Sequence, residues 1–432
     1  MFQRALCGLL IVQTNWAWVP ACGASDPRTP QLVGLPDDDP FLDQLERDSS
    51  RFFWERASNR TGLIADSTLP GSPSSIASVG FGLAALCIAA HRGWISRNQV
   101  YGRVLKTLKT FRDRVESQHG FFYHFVEMDS GRRAWNSEVS SIDTTFLLTG
   151  ALFAGRYFQG TEVEQIAQTL YERVDWPWML HGNRMLCMGW KPEEGFLGSY
   201  WDWYSEGLLA YALAIGSPTH PIPAESWFQW KRATASYQGY DVVYSYFGSL
   251  FTYQFAQAWI DFRKLYDGPV NYWKNSVSAA LANRHFCLDH AAEHRGYGED
   301  GWGLTAGAGP DGYKGYGAEP AVSFQHDGTI NPYGMVASLP LVPFVALPSM
   351  KALYAAYGDQ LYGEYGFRTG FNLDRGWWAH HYIGIEQGVS VLMIENYRSG
   401  LVWNVFMQHP AIQRWISLCL RREEIAPSAA AP

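Results

Sequence analysis

The chain lacks the marks of most cofactor and nucleic-acid chemistry. It carries no G-x-S-x-G elbow, no P-loop, no G-x-G-x-x-G behind a predicted strand and no H-E-x-x-H. That leaves nucleophile-elbow hydrolysis, nucleotide binding and zincin chemistry without a seat. Its six cysteines show no C-x-x-C and no Cys/His spacing, so a zinc site is not supported. Cationic runs are also missing: Lys and Arg number 34 against 41 Asp and Glu, for a formal charge of −7. A surface that tracks phosphates needs clustered cations, so nucleic acid is excluded as a partner, and a strongly acidic polysaccharide is disfavoured. Beyond residue 24 no unbroken apolar stretch is long enough for a membrane span. What the chain has in excess is aromatic surface, with 19 Trp among 432 residues. Carbohydrate is the commonest partner of such flat, polar-tipped side chains. No cofactor and no metal are expected, and the chain is expected to act as a monomer.

The first 24 residues read as an export leader: Arg4 is the positive region, Ala5–Val12 the apolar core, and the chain turns polar after Cys22. Val19-Pro-Ala-Cys22 approximates a lipoprotein cleavage box, which would leave a lipid-bearing Cys22, and cleavage after Ala24 is the alternative. Periplasmic or outer-membrane-anchored placement follows, with secretion as the other outcome. Residues 25–40 read as a linker, and 41–425 as one catalytic domain.

Helical periodicity dominates that domain. Val100, Val104, Leu108, Phe111 and Val115 recur at steps of four and three, with Lys106, Lys109 and Arg112 on the other side. Comparable segments cover about 78–92, 138–158, 161–174, 205–215, 224–237, 249–262, 271–293, 332–344, 348–357, 388–397 and 411–420. A dozen helices without an internal repeat, separated by long aromatic loops, suit an all-α fold of the (α/α)6 toroid type, a closed ring of helical hairpins whose loops form a cleft at one end. Residues 120–126 suit a short hairpin arm.

Four segments mix carboxylates with aromatics. In Gly198-Ser-Tyr-Trp-Asp-Trp-Tyr-Ser-Glu206, Trp201, Asp202, Trp203 and Tyr204 offer binding surface, and Glu206 stands where a loop turns into a helix. There the helix dipole lowers a carboxyl pKa, while burial among rings raises it, and a general acid requires burial to win. In Trp135-Asn-Ser-Glu138-Val-Ser-Ser-Ile-Asp143, Ser137 reads as a cap that puts Glu138 in the first helical turn. Asp143 is either a second acid or a hydrogen-bonded carboxylate inside the bundle. Around 296–329, Trp302, Tyr313 and Tyr316 can stack on rings beside Lys314. His326 and Asp327 can bind hydroxyls or activate water, or Asp327-Gly can simply make a turn. In Trp377–Gly388, Glu386 stands just before a helix as Glu206 does, His380-His381 reads as groove polarity, and Glu395 and Arg398 read as a structural pair. Carboxylates, aromatics and neutral polar groups are the set glycoside hydrolysis needs: one carboxyl protonates the leaving oxygen, and another activates water or attacks the sugar.

In this order, 135–150, 189–193, 204–221, 301–316, 326–329 and 384–397 resemble the bacterial glycoamylase-like proteins, the family that includes the endo-β-1,2-glucanases. The likeness runs from about Phe41 to Trp403. It implies an (α/α)6 toroid, an exported enzyme and hydrolysis of β-1,2-linked glucan with inversion. The Tyr-Ser-Glu motif falls on Glu206 as general acid, and Glu138 becomes the second essential carboxylate. The base stays open among Glu138, Asp143, Asp327 and Glu386, because in this clan it can work through waters and a substrate hydroxyl. Glu386-Gln-Gly-Val389 stands where relatives are expected to carry Asp-Gln-Gly-Pro. Nothing points to α-1,4-glucan. Two other readings remain: a hydrolase or transglycosylase of the same fold acting on another glucan, and a non-catalytic, membrane-anchored glycan-binding protein.

Overall fold

Helices that are apolar on every side have to be inside, and that separates the bundle into two classes. A computed structural model describes residues 39–423. The leader, Cys22, nearly all of the linker and the last two residues of the expected domain lie outside the described residues. The helices are α1 (Pro40–Glu55), α2 (Ile76–His91), α3 (Arg97–Asp113), α4 (Ser141–Tyr157), α5 (Glu162–Glu172), α6 (Trp176–Leu180), α7 (Gly207–Gly216), α8 (Phe251–Gln254), α9 (Tyr272–Asp289), α10 (Tyr333–Val336), α11 (Pro343–Leu361), α12 (Gly384–Arg398), α13 (Leu401–Phe406) and α14 (Pro410–Cys419). Strands are two to four residues long and pair in twos and threes. Among the described residues no helix is long and apolar enough to cross a membrane.

All ten residues of α7 are buried, as is every residue of α2 from Ile76 to Ala89 and most of α4 and α12. By contrast α1, α3, α5 and α14 bury one stripe each. The buried helix α2 packs on α4 and α12, and α4 also packs on α7. The striped helices cover them: α1 lies on α12 and α2, α5 on α4, and α14 on α7. Two glycines set the tightest approach. A Cβ at Gly150 of α4 would stand 1.9 Å from the Gly80 carbonyl oxygen of α2, and one at Gly80 would stand 2.1 Å from the Phe146 carbonyl oxygen.

Several local expectations are corrected. Residues 224–237 do not form a helix. A 3-10 turn (Ala224–Phe228) precedes a hairpin of Thr234–Tyr237 with Tyr240–Val243, turned by Gln238 and Gly239 at positive φ, the two-residue type I′ pattern. Pro348 does not split α11; it lies inside the helix and costs it one backbone donor. Helix α4 starts at Ser141 with Ser140 as its cap, so Glu138 precedes it instead of riding its first turn. Glu386 is inside the first turn of α12, not ahead of it. Glu395 pairs with Arg92 at 2.7 Å, and Arg398 pairs with Glu46 at 2.7 Å and Asp43 at 2.9 Å, so each of the two serves to tie α12 to a neighbouring helix.

Candidate active site

The N-terminal ends of α2, α4, α7 and α12 gather at one end of the bundle. Ser75, Asp143 and Ile385 line a chamber of about 560 Å³ there, and Glu206 lines a neighbouring one of about 590 Å³. The first chamber is floored by Asp66, His124 and Asp143 and walled by Phe125, Trp377 and His381. The second is lined by Trp201, Trp203, Glu206, Lys231, Tyr246 and Phe247, the last two well exposed. Tyr313 lines the first chamber from the second strand of the hairpin Ala306–Gly309/Gly312–Gly315, where it pairs with Ala308. The residue is 56% exposed. Burial and the charges of Glu386, Asp66, Glu206 and Asp143 all push that phenol up, so the four carboxyl groups share one electrostatic neighbourhood.

Glu206 is the N-cap residue of α7, yet its side chain makes no capping bond. Its exposure is 8%, and its Oε2 is buried without a partner. Burial, reinforced by the charge of Asp143, lifts its pKa to about 7. Desolvation therefore wins the contest with the helix dipole, and the carboxyl holds a proton near neutrality.

Glu138 has the opposite environment. His124 Nδ1 lies 3.1 Å from Glu138 Oε1, and His124 Nε2 lies 3.4 Å from Asp143 Oδ1. Burial works against charge on Glu138, but the hydrogen bond and charge of His124 outweigh it and lower its pKa. Burial likewise opposes charge on His124, but Asp143 and Glu138 outweigh that and raise its pKa, favouring the imidazolium. Asp143 is raised by burial; His124 and the Ser140 hydroxyl, which donates to Oδ2 at 2.5 Å, act against it. The candidate ligand atoms of His124, Glu138 and Asp143 lie within 4.8 Å of one another, close enough for a metal ion. However, the two carboxylates flank opposite edges of the ring. One ion could take only one nitrogen, so the imidazolium is the cation this arrangement favours.

Glu386 is 1% exposed, with the Thr369 hydroxyl donating to Oε1 at 2.8 Å; burial raises its pKa well above normal, and the charge of Asp66 adds to this. Asp66 and His124, singled out by no sequence motif, belong to the same neighbourhood. The available signals were slight: a carboxylate closing the apolar run Leu63–Ala65, and one histidine among aromatics at 121–125.

The other candidate residues divide. Trp201 edges the second chamber, its ring over Gly207 and its N–H donating to Ser141 Oγ at 2.9 Å. Asp202 is paired with Lys231 at 2.8 Å, and the Lys231 ammonium lies 4.7 Å over the Trp203 ring. Three aromatics expected to stack on sugar offer no free face. Trp302 is fully buried with its N–H on Ser349 Oγ, and Tyr204 is stacked with Tyr253 in the core. Tyr316 is buried with its hydroxyl donating to Asp327 Oδ2 at 3.4 Å. Lys314 lies 3.7 Å from Asp327, and His326 packs between Phe286 and His290. Lys314, Tyr316, His326 and Asp327 line neither chamber; the Lys314 and Tyr316 contacts with Asp327 brace the hairpin that carries Tyr313.

The family model Glycoamylase, described as "Putative glucoamylase", matches residues 198–410, which include Glu206, Tyr313 and Glu386. Over that segment the chain is similar to the glycoamylase family. A curated relative, the exo β-1,2-glucooligosaccharide sophorohydrolase (non-reducing end) of Parabacteroides distasonis, is 29% identical over 91% of this chain, which spans only 60% of that protein's length. The endo-β-1,2-glucanase of Chitinophaga pinensis, solved with sophorotriose and glucose, superposes with a TM-score of 0.81 at 27% identity over 90% of this chain and 99% of its own. The β-1,2-glucanase of Parabacteroides distasonis superposes with a TM-score of 0.84 at 27% identity over 89% of this chain and 60% of its own.

Proposed function

We propose that this chain is a glycoside hydrolase that cleaves β-1,2-linked glucan, with Glu206 as the proton donor. The observation that carries this reading is the buried, unpartnered Oε2 of Glu206, on a carboxyl held protonated to about pH 7 at the wall of an aromatic chamber. A glycosidic oxygen brought to that atom would supply the missing partner and receive the proton as the bond breaks. The β-1,2 linkage is drawn from the relatives, all three of which are named for it.

The water side falls to Glu138 and Asp143, gripped on either edge of His124. Glu138 is the ionised member and the better acceptor of a proton from water. Glu386, fully buried and with burial favouring its protonated form, enters only through a relay of waters and a substrate hydroxyl. Asp327, held by Lys314 and Tyr316, is a brace. Inversion at the anomeric carbon is the stereochemistry we expect, water attacking from the face opposite Glu206. The scaffold is read as an (α/α)6 toroid forming one catalytic domain, with the buried helices α2, α4, α7 and α12 in its inner ring, and the chain as an exported one.

The test is the oligosaccharide profile released from linear β-1,2-glucan by the wild type and by Glu206→Gln. Short β-1,2 oligosaccharides from the wild type and none from the variant are expected. Release from laminarin or starch with β-1,2-glucan untouched would sink the assignment.

A further inference from the structure

Asp66 is fixed more firmly than a loop residue needs to be. Its N–H donates to the Pro73 carbonyl and its carbonyl accepts from the Gly384 N–H, both at 2.7 Å, and the next residue, Ser67, bridges to Ile383. Both ends of the peptide are thus tied, one of them to the start of α12. The side chain is the opposite case: it faces the first chamber, and no described residue donates a hydrogen bond to its carboxylate. Burial, with repulsion from Asp143 and only the charge of His124 acting against it, raises its pKa to about 6. A half-buried carboxylate without donors is a standing cost, and it is relieved by a ligand that brings donors. Nearby, Phe125 and Trp377 supply apolar surface suited to a pyranose face. Of the two acids that line this chamber, Asp143 has His124 and the Ser140 hydroxyl, and Asp66 has no described donor on either oxygen.

We infer that Asp66 is a specificity-determining residue whose carboxylate takes the adjacent 3- and 4-hydroxyl groups of a glucosyl unit in the first chamber. The inference rests on the glucan hydrolase reading above. Two oxygens of one carboxylate match two neighbouring equatorial hydroxyls, and charge makes both hydrogen bonds strong. The linkage decides which pairs exist. An internal unit of a 1,2-linked glucan keeps its 3- and 4-hydroxyls as neighbours. In a 1,3-linked chain the 3-position is spent, and in a 1,4-linked chain the 4-position is spent. A carboxylate fixed on that pair therefore accepts an internal 1,2-linked unit and leaves the other two linkages with an unmatched oxygen, the kind of mismatch by which a polar site rejects analogues.

The test is calorimetric binding of sophorotriose and laminaritriose to Glu206→Gln and to Glu206→Gln/Asp66→Asn, beside wild-type turnover of β-1,2-glucan. The double variant should bind sophorotriose about 10- to 100-fold more weakly, and the preference over laminaritriose should shrink by the same factor. A thermal melt matching that of Glu206→Gln establishes that the fold is kept, and Asp66→Ser is the substitute if it is not. Unchanged sophorotriose binding with a wild type that cleaves β-1,2-glucan overturns the role of Asp66 alone. Azide rescue of Asp66→Ala with formation of an α-glycosyl azide also overturns it, since Asp66 would then be activating water. A wild type that leaves β-1,2-glucan intact overturns both readings.

Discussion

Glu138 and Glu206 begin alike. Each stands in a Ser-Glu pair close to the start of a buried helix, and each is more than half withdrawn from water. Their protonation then diverges because of one neighbour. His124 holds Glu138 ionised, whereas Glu206 meets apolar walls and the negative Asp143, and keeps its proton. Two like groups pushed apart in pKa are how a site obtains an acid and a base from one residue type. The lesson is that placement at a helix start decides little; the donor that is or is not within reach decides the role.

The strongest challenge to this comparison is Glu206→Gln. It should lower kcat on β-1,2-glucan by about 10²- to 10⁴-fold while sophorotriose binding persists. Comparable loss of binding would make Glu206 a recognition residue instead. Next comes His124→Asn, which removes the imidazolium. Glu138 then loses its stabilising partner, and the acidic limb of the kcat/KM profile should move to higher pH, with activity at pH 5 falling about 10-fold and activity at pH 7 falling less. A uniform loss at all pH values would mean that His124 only shapes the chamber. Stability gives a third test. Glu206 has a folded pKa raised from 4.5 to about 7, so its contribution is whole below about pH 4.5 and is lost as pH rises through 7. Glu206→Gln should therefore match the wild type in thermal melts at pH 4 and exceed it at pH 8 by up to about 3 kcal/mol, because the amide never ionises. The smallest effect is expected from Trp201→Ala, which admits water beside Glu206. The basic limb, near pH 7 in the wild type, should shift down by about half a unit.

How far the sequence could be read follows the range of the forces involved. Apolar residues all round 207–215 and a stripe along 97–113 announce a buried and a covered helix from local pattern alone. The Glu206 contest could be stated from sequence, but not its result, which depends on a wall built by Tyr246, Phe247 and Phe251 from another part of the chain. Asp66 was invisible for the same reason: its anchor is Gly384. The glycine-rich stretch around Trp302 resembled ligand surface, yet Asn283 Oδ1 accepts from the Gly303 and Leu304 N–H groups and Ser349 accepts from the indole, so the loop folds inward. Gln238-Gly239 did carry a local signal for a hairpin, masked by the apolar spacing around it.

The contact of Gly80 with Gly150 bears on how such a cleft can work. Helix α2 begins beside His124, whose carbonyl accepts from the Ile76 N–H, and α4 begins beside Asp143, so the two strongest fixtures of the first chamber are joined by peptide lying on peptide. Side chains can change rotamer and give way; main chains in contact cannot. The floor is therefore one rigid casting, in which the spacing of His124 from Asp143 is held by main chain and not by side-chain rotamers.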